Sequence, residues 1–349
     1  MTILDTATPP AGRAASQPSA RDRLVALFKA RETGILAAFL LFLAVTTAIN
    51  PRFLFSSDGW RDLTLTPAIL VCLAVGQAMV VITRNVDLSV GSTLGLTAYL
   101  TGRLFVDTGL PVLVVVLLAV VAGALLGLVN GVLVAFARVP ALVITLGTMY
   151  VYRGVMLEWA GSDRINASDI PAGLLDFGSG SVLGIPHLAW ISFVVLAVAA
   201  YVMRSTRGGR ELYAIGSDPA AAQLYGLRDR TRILQAFAAS GALAGLAGVL
   251  YVARYGTISS GVGLNLELEA VGAAVIGGVA IFGGSGTVVG AAIGAYLLTT
   301  IARGLPVLGI PDFWQRAVVG ALIIGAIVLD RVLADRQHKK RLAERDNDE

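Results

Sequence analysis

Reactive and metal-binding side chains are scarce in this sequence. Its 349 residues include 1 cysteine and 2 histidines. A disulfide framework or a cysteine-based zinc site within the chain is therefore excluded. Cys72 lies within an apolar run, whereas His187 and His338 lie outside the long apolar runs, with no motif around them. We therefore expect neither histidine to act in catalysis or to hold a metal.

Lysine is almost as rare, since it occurs only as Lys29, Lys339 and Lys340. No glycine precedes any of them, so the chain lacks the G-x-x-x-x-G-K-[ST] loop that cradles nucleotide phosphates. No Ser/His/Asp set, Cys/His pair or paired carboxylates stand out. The sequence therefore argues against an enzyme and predicts that this chain itself carries no cofactor and no metal.

Charge is low throughout, and this defines the class of protein. Charged residues make up 14% of the chain and hydrophobic residues 56%, whereas about a quarter of a soluble domain is charged. The chain therefore belongs to the membrane class. Its 40 glycines fall inside the apolar runs, where small residues let helices pack closely. The net charge of +4 predicts no nucleic-acid partner, because basic residues flank the apolar runs and form no single patch.

Apolar runs close to the length that crosses a bilayer as a helix recur along the chain. They predict an all-α fold, a polytopic transmembrane helical bundle with about ten spans in a lipid bilayer. Two of the runs are short and are separated by glycines, so a re-entrant hairpin over 270–302 stays open as an alternative to two crossings. The predicted spans are residues 35–49, 66–83, 88–106, 110–137, 139–159, 185–203, 233–253, 270–282, 287–302 and 313–329.

The distribution of basic residues predicts the orientation. Most of the 27 lysines and arginines lie on the same side as both termini, and the side rich in Lys and Arg is the cytoplasmic one. Residues 1–34 are polar and predict a disordered cytoplasmic tail rather than a secretory signal. Residues 35–330 form the predicted transmembrane domain, and residues 331–349 a charged cytoplasmic tail.

An arginine-rich stretch, residues 204–232, interrupts the apolar runs and is too polar to be buried in lipid. It contains a short predicted helix with clear boundaries. Asp218 can cap the N-terminus, Pro219 suits the first helical position and Gly226 ends the helix. A short, ordered helix between two spans, on the predicted cytoplasmic side, indicates contact with a cytoplasmic partner. We call residues 204–232 the coupling segment.

Four stretches carry a resemblance to a known family. They are GQAMVVITRNVDLSVGS (76–92), NGVLVAFARVPALVITLGTMYVYRGV (130–155), ELYAIGSDPAAAQLYGL (211–227) and AVIGGVAIFGGSGTVVGAAIGA (274–295). In this order they resemble the conserved blocks of bacterial ABC sugar importer permeases, of the ribose, xylose, arabinose, galactose, rhamnose and autoinducer-2 type. The resemblance extends over nearly the whole chain. Ser217-Asp218 and Tyr225-Gly226 depart from the family's usual Gly-Asn and Ser-Gly, on the surface that would face the partner.

The resemblance implies a permease subunit in the bacterial inner membrane that forms a path for a monosaccharide or a related small polar solute. It implies separate ABC ATPase subunits that hold ATP and Mg, a second permease subunit, identical or paralogous, and a periplasmic solute-binding protein. The coupling segment would dock into the ATPase. The residues expected to carry this coupling are Glu211, Gly216, Ser217, Asp218, Ala221, Ala222, Leu224 and Gly226.

A stand-alone secondary transporter or facilitator is the alternative function. Ion-driven carriers usually keep charged side chains within the membrane, whereas here Asp87, Arg153, Glu267 and other charges fall near predicted span ends. The scarcity of intramembrane charge therefore favours an external energy source.

Several polar and glycine positions are candidates for the pathway or its gate. Asp87 is predicted either as the N-cap of the third span or as a gate contact with Arg84. Asn130 either hydrogen-bonds a neighbouring helix or lines the path. The outer loops 161–185 and 256–269 are expected to meet the binding protein. The pathway or gate candidates are Asp87, Ser89, Asn130, Thr145, Gly277, Gly278, Gly283 and Gly284.

Overall fold

The computed structural model describes residues 31–137 and 139–311 and a few positions between 314 and 328. These residues are mostly helical, which confirms the all-α fold. Within the described part, strands form only one two-residue hairpin, β1 (Ser181–Val182) with β2 (Ile185–Pro186), in which Ser181 pairs with Pro186. Residues 1–30 of the predicted tail 1–34, the predicted tail 331–349 and most of the predicted span 313–329 lie outside the described residues, whereas residues 31–34, predicted as part of the disordered tail, belong to the first described helix.

The helices follow one another along the chain with short connections. They are α1 (Arg31–Ile49), α2 (Arg52–Phe55), α3 (Ser57–Leu65), α4 (Pro67–Ile82), α5 (Val90–Asp107), α6 (Val112–Ala137), α7 (Ala141–Ala160), α8 (Ala172–Ser179), α9 (His187–Ser205), α10 (Arg207–Ser217), α11 (Pro219–Leu224), α12 (Asp229–Tyr255), α13 (Leu266–Ile276) and α14 (Val288–Val307).

Helix α4 is the centre of the bundle. Every one of its 16 residues is buried, and α9, α12, α13 and α14 pack around it. A helix that is apolar on all sides needs such complete burial or contact with lipid. Only Thr66 separates α3 from α4, so residues 57–82 run as one nearly continuous helical segment whose later part is apolar.

The described residues contain five helices that are long and apolar enough to cross a membrane: Ser57–Ile82, Val112–Ala137, His187–Ser205, Asp229–Tyr255 and Val288–Val307. Helices α5 and α7 have 18 and 20 residues but are more polar, and the apolar helix Thr33–Ile49 is shorter. Exposed leucines such as Leu113, Leu117 and Leu125 cover the outer face of α6, as expected for a surface in contact with lipid. These helices confirm a polytopic membrane bundle.

Small residues bring α6 and α12 into close contact. A Cβ atom on Gly123 would collide with the Gly241 carbonyl, and one on Gly127 with the Phe237 carbonyl. Gly245 in turn packs against the backbone of Ala119. The glycines inside the apolar runs predicted such packing, and the structure confirms it for these two helices. In a membrane no hydrophobic force drives helices together, so close packing between their backbones contributes to their association instead.

Residues 256–287 form an interrupted passage through the bundle. After α12 ends at Tyr255, an irregular stretch runs along the glycine face of α5, with Ile258 beside Gly102 and Val262 beside Gly95. Helix α13 follows with 11 residues, about 16 Å of helix, which is short of the roughly 30 Å membrane core. The loop 277–287 then leads into the full-length helix α14.

This passage corrects two expectations. The predicted span 270–282 actually begins at Leu266 and ends at Ile276, because a turn stabilised by Gly278 at φ +86° interrupts it. Glu267 and Glu269, expected in an outer loop, lie in the first turn of α13. The sequence predicted a loop for Glu267 and Glu269 because the glycines before them gave no indication that a helix begins there.

Candidate functional site

The coupling segment contains the short helix that the sequence predicted. Asp218 Oδ1 accepts hydrogen bonds from the backbone N–H groups of Ala220 and Ala221, both at 3.0 Å. Pro219 is the first residue of α11, and Gly226 follows the helix at φ +74°. Both features are those of a well-terminated helix. The capping bonds make this six-residue helix a defined shape although it lies at the periphery of the bundle.

The tip of α11 presents apolar side chains to solvent. Leu224 is 89% exposed and Tyr225 is 85% exposed. Ala222 on the same helix is buried, and its carbonyl accepts from the N–H of Leu227. Two large apolar residues on a capped polar segment form a projection suited to contact with another protein.

Glu211 joins the coupling segment to the long helix α12. Its carboxylate accepts from Arg207 Nε at 2.6 Å and from Arg232 Nε, on α12, at 2.6 Å. These hydrogen bonds, first that of Arg232 and then that of Arg207, hold the pKa of the Glu211 carboxyl below its usual range. The expected coupling residue Glu211 therefore lies at the base of the segment, where it fixes α10 to α12.

Arg84 binds the C-terminal end of α10. Its Nε donates to the Gly216 carbonyl at 2.6 Å, and its Nη2 donates to the Ser217 carbonyl at 2.6 Å. Arg84 has φ +65°, a left-handed conformation that costs a residue with a side chain roughly 1–2 kcal/mol. The expected gate contact between Arg84 and Asp87 is wrong, because the guanidinium reaches instead to carbonyls at the end of α10.

The last turn of α10 fits against the end of α4 without space for a side chain. A Cβ atom on Gly216 would collide with the Ile82 carbonyl. The same Ile82 carbonyl accepts from the N–H of Gly284 at 2.9 Å. Three separate chain segments therefore meet at one point, which we call the α4–α10 junction: Ile82 and Arg84, Gly216 and Ser217, and Gly283 and Gly284.

The glycine candidates divide between this junction and helix packing. Gly283 and Gly284, at φ +80° and +73°, lie against Arg84 and Ser217 respectively. Nearby, Tyr213 Oη donates to the Gly286 carbonyl at 2.9 Å. Gly277 lies elsewhere, at the end of α13, where its backbone packs against Gly290.

Between α4 and α5 the chain is non-helical over residues 83–89, which we call the α4–α5 link. Asp87 within it is only 1% exposed. Its Oδ1 accepts from the N–H and the hydroxyl of Ser89, at 2.9 Å and 2.7 Å. Asp87 lies too early to be the predicted N-cap of α5 itself, because Ser89 directly precedes that helix; Ser89 makes no side-chain cap, and the Asp87 carboxylate accepts the Ser89 N–H. Asp87 instead closes a local turn with a residue two positions later, a habit of aspartate that competes with capping.

Polar side chains from three helices hold the α4–α5 link. Asn130 Nδ2 on α6 donates to Ser89 Oγ at 2.7 Å and to Asp87 Oδ1 at 3.4 Å. Thr145 Oγ1 on α7 donates to the Val86 carbonyl at 3.0 Å. The Gln77 amide on α4, oriented to suit its neighbours, donates to the Asp87 carbonyl at 3.1 Å and accepts from the Asp87 N–H at 3.2 Å. Of the alternatives for Asn130, this supports the interhelical hydrogen bond.

The structure therefore brings the sequence candidates into two adjoining groups. Asp87, Ser89, Asn130 and Thr145 surround the α4–α5 link, and Gly216, Ser217, Gly283 and Gly284 meet at the α4–α10 junction. Sequence reasoning missed Arg84 as the residue that joins the groups. The sequence did contain a hint, because Arg84 is a basic residue directly before the buried Asp87 and Ser89. An arginine that merely flanks a membrane span would occupy the same position.

The sequence of this chain matches a known protein family and several known proteins. Residues 61–327 match the family model described as branched-chain amino acid transport system / permease component. The chain is 37% identical over 300 residues to the autoinducer 2 import system permease protein LsrC of Salmonella typhimurium, covering 86% of this chain and 85% of that protein. It is 38% identical over 306 residues to LsrC of Enterobacter sp. strain 638, covering 87% and 88%.

LsrC of Escherichia coli strain K12 / DH10B is 36% identical over 298 residues, covering 85% of this chain and 86% of that protein. No solved structure matches the chain. The matches extend over the bundle, the α4–α5 link and the coupling segment. The chain thus belongs to the permease family of bacterial ABC importers and is the membrane permease subunit of such a transporter.

Proposed function

We propose that this permease forms the path for a small, neutral, hydroxyl-rich solute of the sugar type, driven by a separate ATPase that docks on the coupling segment. The relatives named above are permeases of autoinducer 2 import systems. Among the described residues the buried polar side chains are mostly hydroxyls and amides, and the hydroxyls of Ser92, Ser240 and Thr300 have no hydrogen-bond partner within the protein. Such groups suit a solute that hydrogen-bonds and carries no net charge.

The shape of α11 is the observation that supports an ATPase partner. It is a capped helix with an exposed apolar tip at Leu224 and Tyr225, and its base is fixed to the bundle by Arg84 and Glu211. An aromatic residue at a projecting tip can fill a pocket on a partner. A rigid base lets movement of that partner reach the membrane helices. ATP and Mg belong to this partner.

The remaining partners follow from the same assignment. With the coupling segment on the cytoplasmic side, as its arginines favour, the opposite end of the bundle faces the periplasm. There the hairpin β1–β2 exposes Leu183, which is 90% accessible, and Trp60 Nε1 donates to the Gly184 carbonyl at 3.1 Å. We assign this end to the periplasmic solute-binding protein. A second permease subunit, identical or paralogous, completes the pathway.

Reconstitution tests the proposal directly. The permease is placed in proteoliposomes with its ATPase, its solute-binding protein and, where the second permease is paralogous, that subunit, and uptake of labelled solutes is measured with and without ATP. We expect uptake that requires ATP, and we expect it to disappear on Asp218→Pro or deletion of residues 219–224 although the permease still inserts. Normal uptake by either variant would refute the coupling role. Solute flux through the permease alone, without ATPase or nucleotide, would support the alternative of a stand-alone transporter.

A further inference from the structure

We propose that Arg84 is the positioning residue that carries movement of the coupling segment into the membrane helices, by way of the α4–α5 link. This inference rests on the proposed function, since it presupposes an ATPase that moves the coupling segment. It adds to that function a specific route, which begins at the C-terminal carbonyls of α10 and ends at the first turn of α5.

The first step of the route is the guanidinium itself. Arg84 donates to two consecutive carbonyls, those of Gly216 and Ser217, each at 2.6 Å. These are the last two residues before Asp218, whose carboxylate caps α11. A planar fork with two short bonds fixes both position and direction. The end of α10, the start of α11 and the backbone at Arg84 are therefore held as one unit.

The second step is the absence of space at the junction. Gly216 lies directly on the Ile82 carbonyl, and Gly283 lies against the side chain and backbone of Arg84. A push on the coupling segment toward the bundle therefore meets the end of α4 at once. A pull away from the bundle is resisted by the Arg84 hydrogen bonds and, on the neighbouring turn, by the Tyr213 bond to Gly286.

The third step is the rigid hold on the α4–α5 link. Residues 83–89 lack the internal hydrogen bonds of a helix, but Gln77, Asn130 and Thr145 bind their polar groups from α4, α6 and α7. Displacement of Arg84 is therefore passed to Asp87 and Ser89 and so to the start of α5. Packed cores change between discrete arrangements rather than bending continuously, so such a link suits a switch between two states.

The backbone at Arg84 supports the inference and supplies the best test. At φ +65° glycine would be the relaxed residue, yet the position holds an arginine whose side chain makes the two carbonyl bonds. Strained positions of this kind are found where surrounding contacts over-determine the conformation. Arg84→Gly removes the guanidinium and relieves the backbone at the same time, so loss of function in this variant cannot be attributed to backbone strain.

The experiment compares Arg84→Gly with Arg103→Ala in proteoliposomes containing the partner subunits of the transporter. Arg103 is the control, since it lies near the far end of α5, outside the coupling segment and the α4–α5 link, and pairs with Asp107 on the same helix at 3.0 Å. Three quantities are measured for each variant: copurification of the ATPase, the rate of ATP hydrolysis, and the number of ATP molecules hydrolysed per solute imported. Arg84→Lys, which keeps the charge but loses the fork, provides a graded second variant.

We expect Arg84→Gly to insert, to retain the ATPase and to hydrolyse ATP within about twofold of the unmodified transporter. Uptake falls at least tenfold, so the ATP hydrolysed per solute rises at least about fivefold, with Arg84→Lys intermediate and Arg103→Ala unchanged. A merely structural role would lower insertion and both rates together and leave that ratio unchanged.

Two results would overturn this inference and leave the proposed function standing. One is an unchanged number of ATP molecules hydrolysed per solute in Arg84→Gly and Arg84→Lys, and the other is loss of the ATPase from Arg84→Gly in proportion to the loss of uptake. The latter result would make Arg84 part of the docking surface. If the unmodified transporter shows no ATP-dependent uptake, the proposed function fails and the inference fails with it.

Discussion

Glu211 and Arg232 tie the coupling segment to the longest helix of the bundle by a 2.6 Å hydrogen-bonded ion pair between α10 and α12. Arg207 approaches the other oxygen of Glu211 at 2.6 Å, but its own side chain is largely exposed. The two arginines therefore differ in what they hold: Arg232 joins two helices, whereas Arg207 stabilises one helix turn.

We predict that Glu211→Gln lowers the thermal unfolding midpoint of the detergent-solubilised permease at pH 7, and that Arg207→Gln lowers it less. The pKa of Glu211 is depressed in the folded state. Its ionised form therefore stabilises the fold fully above the ordinary glutamate value of about 4.3, and this stabilisation is lost as pH falls through the lower folded pKa.

The measurement is tryptophan fluorescence during thermal unfolding. The unmodified protein and both variants are compared at pH 7, and the unmodified protein and Glu211→Gln also at pH 5 and 3.5. Between pH 7 and pH 5 the difference between unmodified protein and Glu211→Gln should be constant, and it should shrink at pH 3.5. A difference that grows on acidification would contradict the assignment of an ionised Glu211.

The coupling segment shows what a sequence can supply and what it cannot. Asp218, Pro219 and Gly226 act through their own chain neighbours, so the sequence predicted α11 correctly. Arg84 binds carbonyls 132 and 133 positions away, and no local pattern encodes such a partner. The family resemblance identified the transporter class, but it contained no information about which side chain grips which backbone.

The same distinction explains the errors. Asp87 precedes a helix and is a residue that commonly caps one, so the local rule predicted an N-cap. The helix begins later for two reasons: Ser89, two positions on, binds the Asp87 carboxylate locally, and the tertiary contact from Gln77 holds the Asp87 backbone outside the helix. The half-helix α13 was misplaced for a similar reason: the packing of Gly91 and Gly263 fixes where the irregular stretch ends, and that packing is not visible in the apolar pattern.

Asn130 provides a second prediction, about the buried polar contacts of the α4–α5 link. Replacing it by leucine keeps the volume but removes the donor that serves Ser89 Oγ and Asp87 Oδ1. Ser89 and Asp87 keep the hydrogen bonds between them, so the change removes the buried bonds that join α6 to the link, which are worth about 1–3 kcal/mol where one acceptor is charged. We expect Asn130→Leu to lower the free energy of unfolding by that amount, whereas Val129→Ala, on the outward face of the same helix, should change it by less than about 0.5 kcal/mol.

Denaturant titration of the purified permease, followed by fluorescence, measures both variants of this pair. The ATP-dependent uptake of Asn130→Leu should fall with its stability, because the link it supports lies between the coupling segment and α5. Equal stability of Asn130→Leu and the unmodified protein would mean that the amide contributes nothing to holding the link.

Gly241 on α12 gives the third prediction, which concerns the contact between α6 and α12. A Cβ atom at this position would collide with the Gly123 carbonyl and would lie 2.8 Å from the Cα of Gly127, closer than packed atoms allow. The obstacle is helix backbone, which cannot rotate aside, so the two helices must separate. Overpacking of this kind costs about 1–3 kcal/mol, and we expect Gly241→Ala to lower the free energy of unfolding accordingly.

Gly147→Ala is the matched control, because a Cβ atom at this helical position of α7 meets nothing within 4 Å. Alanine favours a helix over glycine by about 1 kcal/mol where no contact opposes it. The same chemical change should therefore have opposite signs at the two positions, destabilising at Gly241 and neutral or stabilising at Gly147. Denaturant titration of both variants decides the matter: if Gly241→Ala is as stable as Gly147→Ala, helices α6 and α12 do not pack through their glycines.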